Sequence, residues 1–149
     1  MLSQKKKVSL SQVVLFQIEQ ASKQAKLYSQ REFDRQGLGI TVDQWVLLKI
    51  IQEAGSLSQQ ELAQRSLRDP ASITRTLDLL VKRQFVFRQP DPQDRRQFQI
   101  GLTKPGYEFV ERHMTMVDDH RRRSIAGMSK EEVQTLLTLL KTVQRNMAT

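Results

Sequence analysis

Cysteine is absent from the 149 residues. That removes a disulfide framework, a thiolate zinc site and a cysteine redox sensor together. The two histidines, His113 and His120, share a helical face with Asp118 and Asp119 but lack the i, i+4 spacing of a helical zinc pair, so no metal is expected. No apolar run approaches the ~18 residues of a membrane span. Ser9, Ser11, Gln12 and Gln17 interrupt the apolar stretch behind the basic start, and no small-residue cleavage site follows. A cytoplasmic protein without a membrane partner is the expectation. Nor does the spacing offer a Ser/His/Asp set, a glycine-rich phosphate loop or paired carboxylates. An enzyme with a resident cofactor is therefore not expected.

What the chain does have is positive charge. Lys and Arg number 24 against 16 acids, a formal +8. This favours a polyanionic partner without locating it. Residues 59–106 hold nine Lys/Arg against five acids, while residues 1–35 hold seven against three.

Helix starts are written clearly. Capping boxes stand at Thr41–Gln44, Ser58–Glu61 and Ser129–Glu132, each flanked by apolar staple residues. Asp69-Pro70 marks a further start, with a carboxylate N-cap and proline at the first helical position. Helices are thus predicted over 9–35, 42–54, 59–66, 70–84, 104–126 and 130–147, the fifth capped by Thr103. Strands are predicted near 85–89 and 97–102, where Phe85 and Phe87, then Phe98, Ile100 and Leu102, alternate at period two towards the core. With no internal repeat and no linker, the fold class is mostly α with a small β-hairpin, in a single domain over 1–149.

The helix 70–84 and the loop after it carry the candidate chemistry. Ile73, Leu77, Leu80 and Val81 form the buried stripe; Ala71, Arg75, Asp78 and Lys82 point away, with Ser72, Thr74 and Thr76 at the boundary. Such a face presents small and hydroxyl residues plus one arginine. Arg75 can contact guanine O6/N7 bidentately, and the threonines can touch phosphate or a thymine methyl. The plainer reading is a solvated face with an Asp78–Lys82 pair. The loop tips the balance. Pro90 and Pro92 stiffen it, while Asp91, Asp94, Arg95 and Arg96 keep it in water. Arg95 and Arg96 at its tip suit a narrow minor groove. Asp94 would repel phosphate, so it is expected to position the tip, by a turn hydrogen bond or by holding an arginine.

Together these motifs resemble the MarR family of transcriptional regulators over nearly the whole chain. They are Thr41–Trp45, the stretch Leu57–Gln84, Asp91–Arg96 in a D-x-x-D-x-R pattern, and Leu102–Gly106 in an L-T-x-x-G pattern. The resemblance implies a winged helix-turn-helix lobe over 42–102. It also implies a dimerisation lobe built from the terminal helices, 9–35 and 104–147. It implies a homodimer that represses or activates from a pseudo-palindromic operator in double-stranded DNA, with Ser72, Thr74 and Arg75 in the major groove and Arg96 in the minor groove. It suggests that Asp69 pairs with the wing arginine, although Asp69 is already accounted for as an N-cap. This chain departs from the family at Gln84, where many relatives have glycine, and at the Ser66-Leu67-Arg68 corner, which lacks the common glycine.

Two further expectations follow. The terminal helices carry more apolar face than the middle can cover. Val13, Val14 and Ile18, with Leu136, Leu140 and Val143, are therefore assigned to a dimer interface. The resemblance also implies a small aromatic or anionic effector, of unknown identity, in a cleft that Tyr28, Arg31, Trp45 and His113 would line. The plainer alternatives for these residues are Trp45 as core and the others as surface. A rival function is a winged-helix module for protein or RNA binding without operator specificity. Two arginines at the tip argue against a protein-binding wing, and core-facing phenylalanines against an RNA-stacking sheet.

Overall fold

The computed structural model describes residues 6–149, so the basic start at Met1–Lys5 lies outside the described residues. The elements run α1 (Val14–Arg35), α2 (Val42–Ala54), β1 (Ser56–Ser58), α3 (Gln59–Ser66), α4 (Pro70–Lys82), β2 (Val86–Pro90), β3 (Phe98–Leu102), α5 (Lys104–Ser124) and α6 (Lys130–Met147). The chain divides into two compact units, Met1–Met114 and Thr115–Thr149.

Four helix starts are capped by the residues expected. Thr41 and Ser129 complete reciprocal boxes with Gln44 and Glu132. Ser58 accepts from the Glu61 amide at 3.0 Å, and Asp69 from the Ser72 amide at 2.8 Å. The first helix is shorter than expected. Leu10–Gln12 form a 3₁₀ turn and Val13 is extended, so α1 starts at Val14. Gln17 Nε2 donates to the Ser11 carbonyl at 3.0 Å, a local bond that competes with helical pairing here. The fifth helix stops at Ser124, two residues early.

The first unit closes its core around α2, α4 and the sheet. Leu47, Leu48, Ile51, Leu77, Leu80 and Ile100 are all fully buried. Each such side chain contributes about 1.5–3 kcal/mol. The sheet is antiparallel in the order β1-β3-β2. Leu57 pairs with Ile100 and Arg88 also lies opposite Ile100. The expected hairpin thus gains a third strand, β1, which is only three residues long.

The expected faces of α4 and β2 need correction. Val81 is 37% exposed, leaving Ile73, Leu77 and Leu80 as the buried stripe. The helix ends at Lys82, and Gln84 takes a positive φ of 62°. Phe85 then packs on Phe109, ring centroids 4.4 Å apart, before β2 begins. Val86 takes the inward position of the strand, while Phe87 faces out across Gly101, where any Cβ would lie 2.4 Å from its ring. Phe98 is likewise exposed.

The L-T-x-x-G stretch acts as a joint. The Thr103 hydroxyl accepts from the Gly106 amide at 3.0 Å, starting α5. The Thr103 amide donates to the Phe85 carbonyl, also at 3.0 Å. A Cβ on Gly106 would lie 2.0 Å from that carbonyl oxygen, so only glycine fits.

In the second unit, α6 carries its apolar stripe uncovered. None of its residues is buried, and Leu136, Leu137 and Leu139 are exposed. No described helix is long and apolar enough to cross a membrane.

Candidate nucleic-acid interface

The two helices of the corner are set by backbone chemistry. α3 ends at Leu67, whose φ of 53° is left-handed, and the Arg68 amide returns to the Ala63 carbonyl at 3.1 Å. An L-residue pays about 1–2 kcal/mol for that conformation. The turn keeps it because the Asp69 cap starts α4 two residues later. Gln59 of α3 donates to the Thr74 hydroxyl at 2.7 Å, and that hydroxyl donates to the Pro70 carbonyl at 3.0 Å. Thr74 is therefore engaged in fixing the helix pair.

On the outer face of α4, Ala71, Thr74 and Arg75 are exposed, while Ser72 and Thr76 are half-buried. Arg75 makes no ion pair among the described residues. Asp78 pairs with Arg88 of β2 instead of the expected Lys82. Lys82 is one helical turn away but competes poorly. Arg88 projects from the inner face of the strand and is already three-quarters covered, so its guanidinium needs a partner.

The wing is built by two aspartates. Asp91 Oδ1 accepts from the Gln93 amide and Oδ2 from Gln99 Nε2, both at 2.8 Å. The Gln93 amide first, then Gln99, holds the Asp91 carboxyl below the usual carboxylate range. Asp94 Oδ1 accepts from the Arg96 amide at 3.0 Å, and its carbonyl accepts from the Gln97 amide at 3.0 Å. Of the two roles foreseen for Asp94, turn bonding is the one seen. Asp91 as the second organiser escaped the sequence reading, although its place in the D-x-x-D pattern was the available signal. Arg95 and Arg96 stay exposed, with no ion pair among the described residues.

Between α3, the start of α4 and the wing lies a groove of ≈ 900 Å³, whose walls include Gln60, Gln64, Arg68, Thr74, Arg96 and Phe98. The glutamines of α3 were not foreseen as part of it. Leu67, 90% exposed, sits on the same wall. Asp69 is engaged by its cap to Ser72.

Residues 40–98 match the family model of MarR. Over that stretch the chain is similar to the MarR family. The curated relatives it matches are HTH-type transcriptional regulators. Its relatives include the HTH-type transcriptional regulator YhbI of Bacillus subtilis, 42% identical over 73 residues. That alignment covers 49% of this chain and 47% of YhbI, so the chain spans about half of that relative's length. The HTH-type transcriptional repressor IacR of Pseudomonas putida is 27% identical over 112 residues, covering 75% of this chain and 67% of IacR. Among solved structures, a mutant E. coli MarR complexed with operator DNA superposes with a TM-score of 0.77 at 29% identity. It covers 85% of this chain and 89% of its own.

The effector candidates are placed unevenly. Trp45 is core, 3% exposed, with Phe33 edge-on at 6.0 Å and Phe109 at 6.4 Å. Its indole Nε1 is buried without a hydrogen-bond partner. His113 meets Phe109 from another side, at 4.7 Å. Burial first, then Arg112, lowers its pKa. Tyr28 and Arg31 occupy exposed positions of α1.

Proposed function

We propose that this chain is a homodimeric repressor that binds a pseudo-palindromic operator and is released by a small aromatic or anionic effector. One observation carries the DNA reading. Arg75 on α4 and Arg95 and Arg96 on the wing are exposed and make no ion pair among the described residues, Arg96 lining the groove between α3, α4 and the wing, while the acids nearby are engaged in turns, caps or the Arg88 pair. Arg75 suits a major-groove guanine and the wing arginines a minor groove. Repression is supported by the name of IacR, a transcriptional repressor. The exposed stripe of α6 and the apolar start of α1 support a second copy. Val14 is 61% exposed, Leu136 40%, and Val13, Ile18, Leu140 and Val143 are half-buried. The orphaned Trp45 Nε1 supports an effector acceptor group near the Trp45–His113 aromatic cluster.

The test is a gel shift on the DNA upstream of the chain's own gene, with and without excess non-specific DNA. A shifted band that survives the competitor is expected. A band abolished by modest competitor, or none at all, counts against operator binding.

A further inference from the structure

The recognition helix α4 is flanked by two arginines, and both reach the same short segment. Arg68, the residue before the N-cap, pairs with Asp43 at 2.8 Å. Arg83, the C-cap residue, donates from Nη1 to the Gly39 carbonyl at 2.6 Å and from Nη2 to the Leu38 carbonyl at 3.3 Å. Leu38, Gly39 and Asp43 belong to the corner that joins α1 to α2.

The corner is built to receive both arms. Gly39 has a φ of +70°, and a Cβ there would stand 2.8 Å from Arg83 Nη1. The Arg83 guanidinium also lies over the Phe85 ring, 4.9 Å from its centroid, which fixes its plane. Asp43 is in the first turn of α2 and takes a second cation, Lys26 of α1, at 2.7 Å. Arg68 is three-quarters covered, unlike an ordinary surface pair. Leucine and isoleucine burial fixes how closely α4 lies on the core but leaves sliding and tilting soft. Directional, charge-assisted bonds at both ends resist those motions.

We propose that the Leu38–Asp43 corner is a two-point clamp, gripping α4 through Arg68 and Arg83, and that it sets the angle at which α4 is presented to DNA. The proposal rests on the reading of α4 as recognition helix. Arg68, Arg83 and Asp43 are positioning residues in it, and Lys26 makes α1 a party to the setting.

The alternative for Arg68 is a phosphate contact that Asp43 merely holds back. The two ideas predict opposite signs. Under the clamp, Asp43→Asn loosens α4 and weakens sequence-specific binding. Under simple electrostatics, it frees a cation and removes an acid, so every duplex binds more tightly.

The specific probe is a duplex selected by the wild type from random sequence; the comparison probe is that duplex scrambled. Asp43→Asn and Arg83→Met should each weaken the selected duplex by about tenfold to a hundredfold, the scale of losing bonds to charged groups. The scrambled duplex should be held as tightly as by the wild type or more so. Asp43→Glu, which keeps the carboxylate, should recover most of the loss; a merely structural gap would not be repaired this way. Should Asp43→Asn fail to fold, Arg83→Met carries the test alone, since methionine still covers Phe85. An unchanged ratio of selected to scrambled binding in these variants overturns the clamp, as does tighter binding of both duplexes. A wild type that selects no sequence overturns the DNA reading itself, and so is told apart from failure of the clamp.

Discussion

Gln84 sits at φ 62° between the end of α4 and Phe85, a conformation that glycine adopts freely and glutamine does not. The left-handed region costs an L-residue about 1–2 kcal/mol, and glycine returns about 0.5–1 kcal/mol of that as unfolded-state entropy. Gln84→Gly should therefore stabilise the fold by about 0.5–1 kcal/mol, read as a higher urea midpoint at unchanged slope. A lower midpoint would mean that the glutamine side chain contributes more than its strain costs. Asp91 supplies a second test at this scale. Its carboxyl is held low by the Gln93 amide and Gln99. A carboxyl with a lowered folded pKa contributes stability that is fully present above its unfolded value. That stability is lost as pH falls through the lowered folded value. The wing's Asx turn should therefore persist at pH 5 and come apart only below the ordinary aspartate value of about 3.9. Nuclear magnetic resonance shifts of the Gln93 amide and the Gln99 side-chain amide report it. A shared midpoint at or above the ordinary value would show that these bonds do not favour the carboxylate.

Helix starts were legible because capping is chemistry between residues three apart: Thr41, Ser58, Asp69 and Ser129 all cap their helices, although at Ser58 only half of the expected box forms, the Ser58 hydroxyl accepting from the Glu61 amide. β1 was not legible: Ser56-Leu57-Ser58 is too short to show a period, and it exists by pairing with a strand over forty residues away. The inward turn of Val86 escaped notice because Phe85 is buried by α5 before the strand starts, which breaks the period. Of the candidate interface, Arg75, Arg95, Arg96 and Asp94 were legible as types in a pattern. Asp43 and Arg83 were not, because their partners lie far along the chain. Helix and wing should separate on mutation. Arg75→Ala should cost about 1–3 kcal/mol at the operator and relax discrimination at one or two base pairs. Arg96→Ala should weaken binding and alter preference chiefly at flanking A·T-rich positions, because a minor-groove arginine reads width and potential. Asp94→Ala removes the acceptor for the Arg96 amide, so it should give a milder form of the Arg96 effect. Charge alone predicts tighter binding for Asp94→Ala. Titration of the three variants at one salt concentration decides, and a tighter Asp94→Ala would remove Asp94 from the wing mechanism.

At the scale of the whole molecule, the uneven distribution of burial matters most. The unit up to Met114 holds a core of fully buried apolar side chains, whereas α6 buries none. A helix of 18 residues with Leu136, Leu137, Leu140 and Val143 repeating at helical spacing is not built to face water. In the proposed homodimer a two-fold partner would cover such a stripe with its own copy and place a second α4 for the second half of a pseudo-palindrome. Burial of each leucine across that contact is worth about 1.5–3 kcal/mol, and a carboxylate in its place adds a desolvation cost on both copies. Leu140→Asp should therefore convert a dimer to monomer at micromolar concentration in sedimentation, with helix content largely kept and operator affinity lost. The exposed Thr138, two residues away and so on the opposite side of the helix, serves as the control: Thr138→Asp should leave the dimer intact. A wild type that sediments as a monomer at micromolar concentration would falsify the dimer. A Leu140→Asp variant that still sediments as a dimer would place the contact on the α1 face of Val13, Val14 and Ile18 instead.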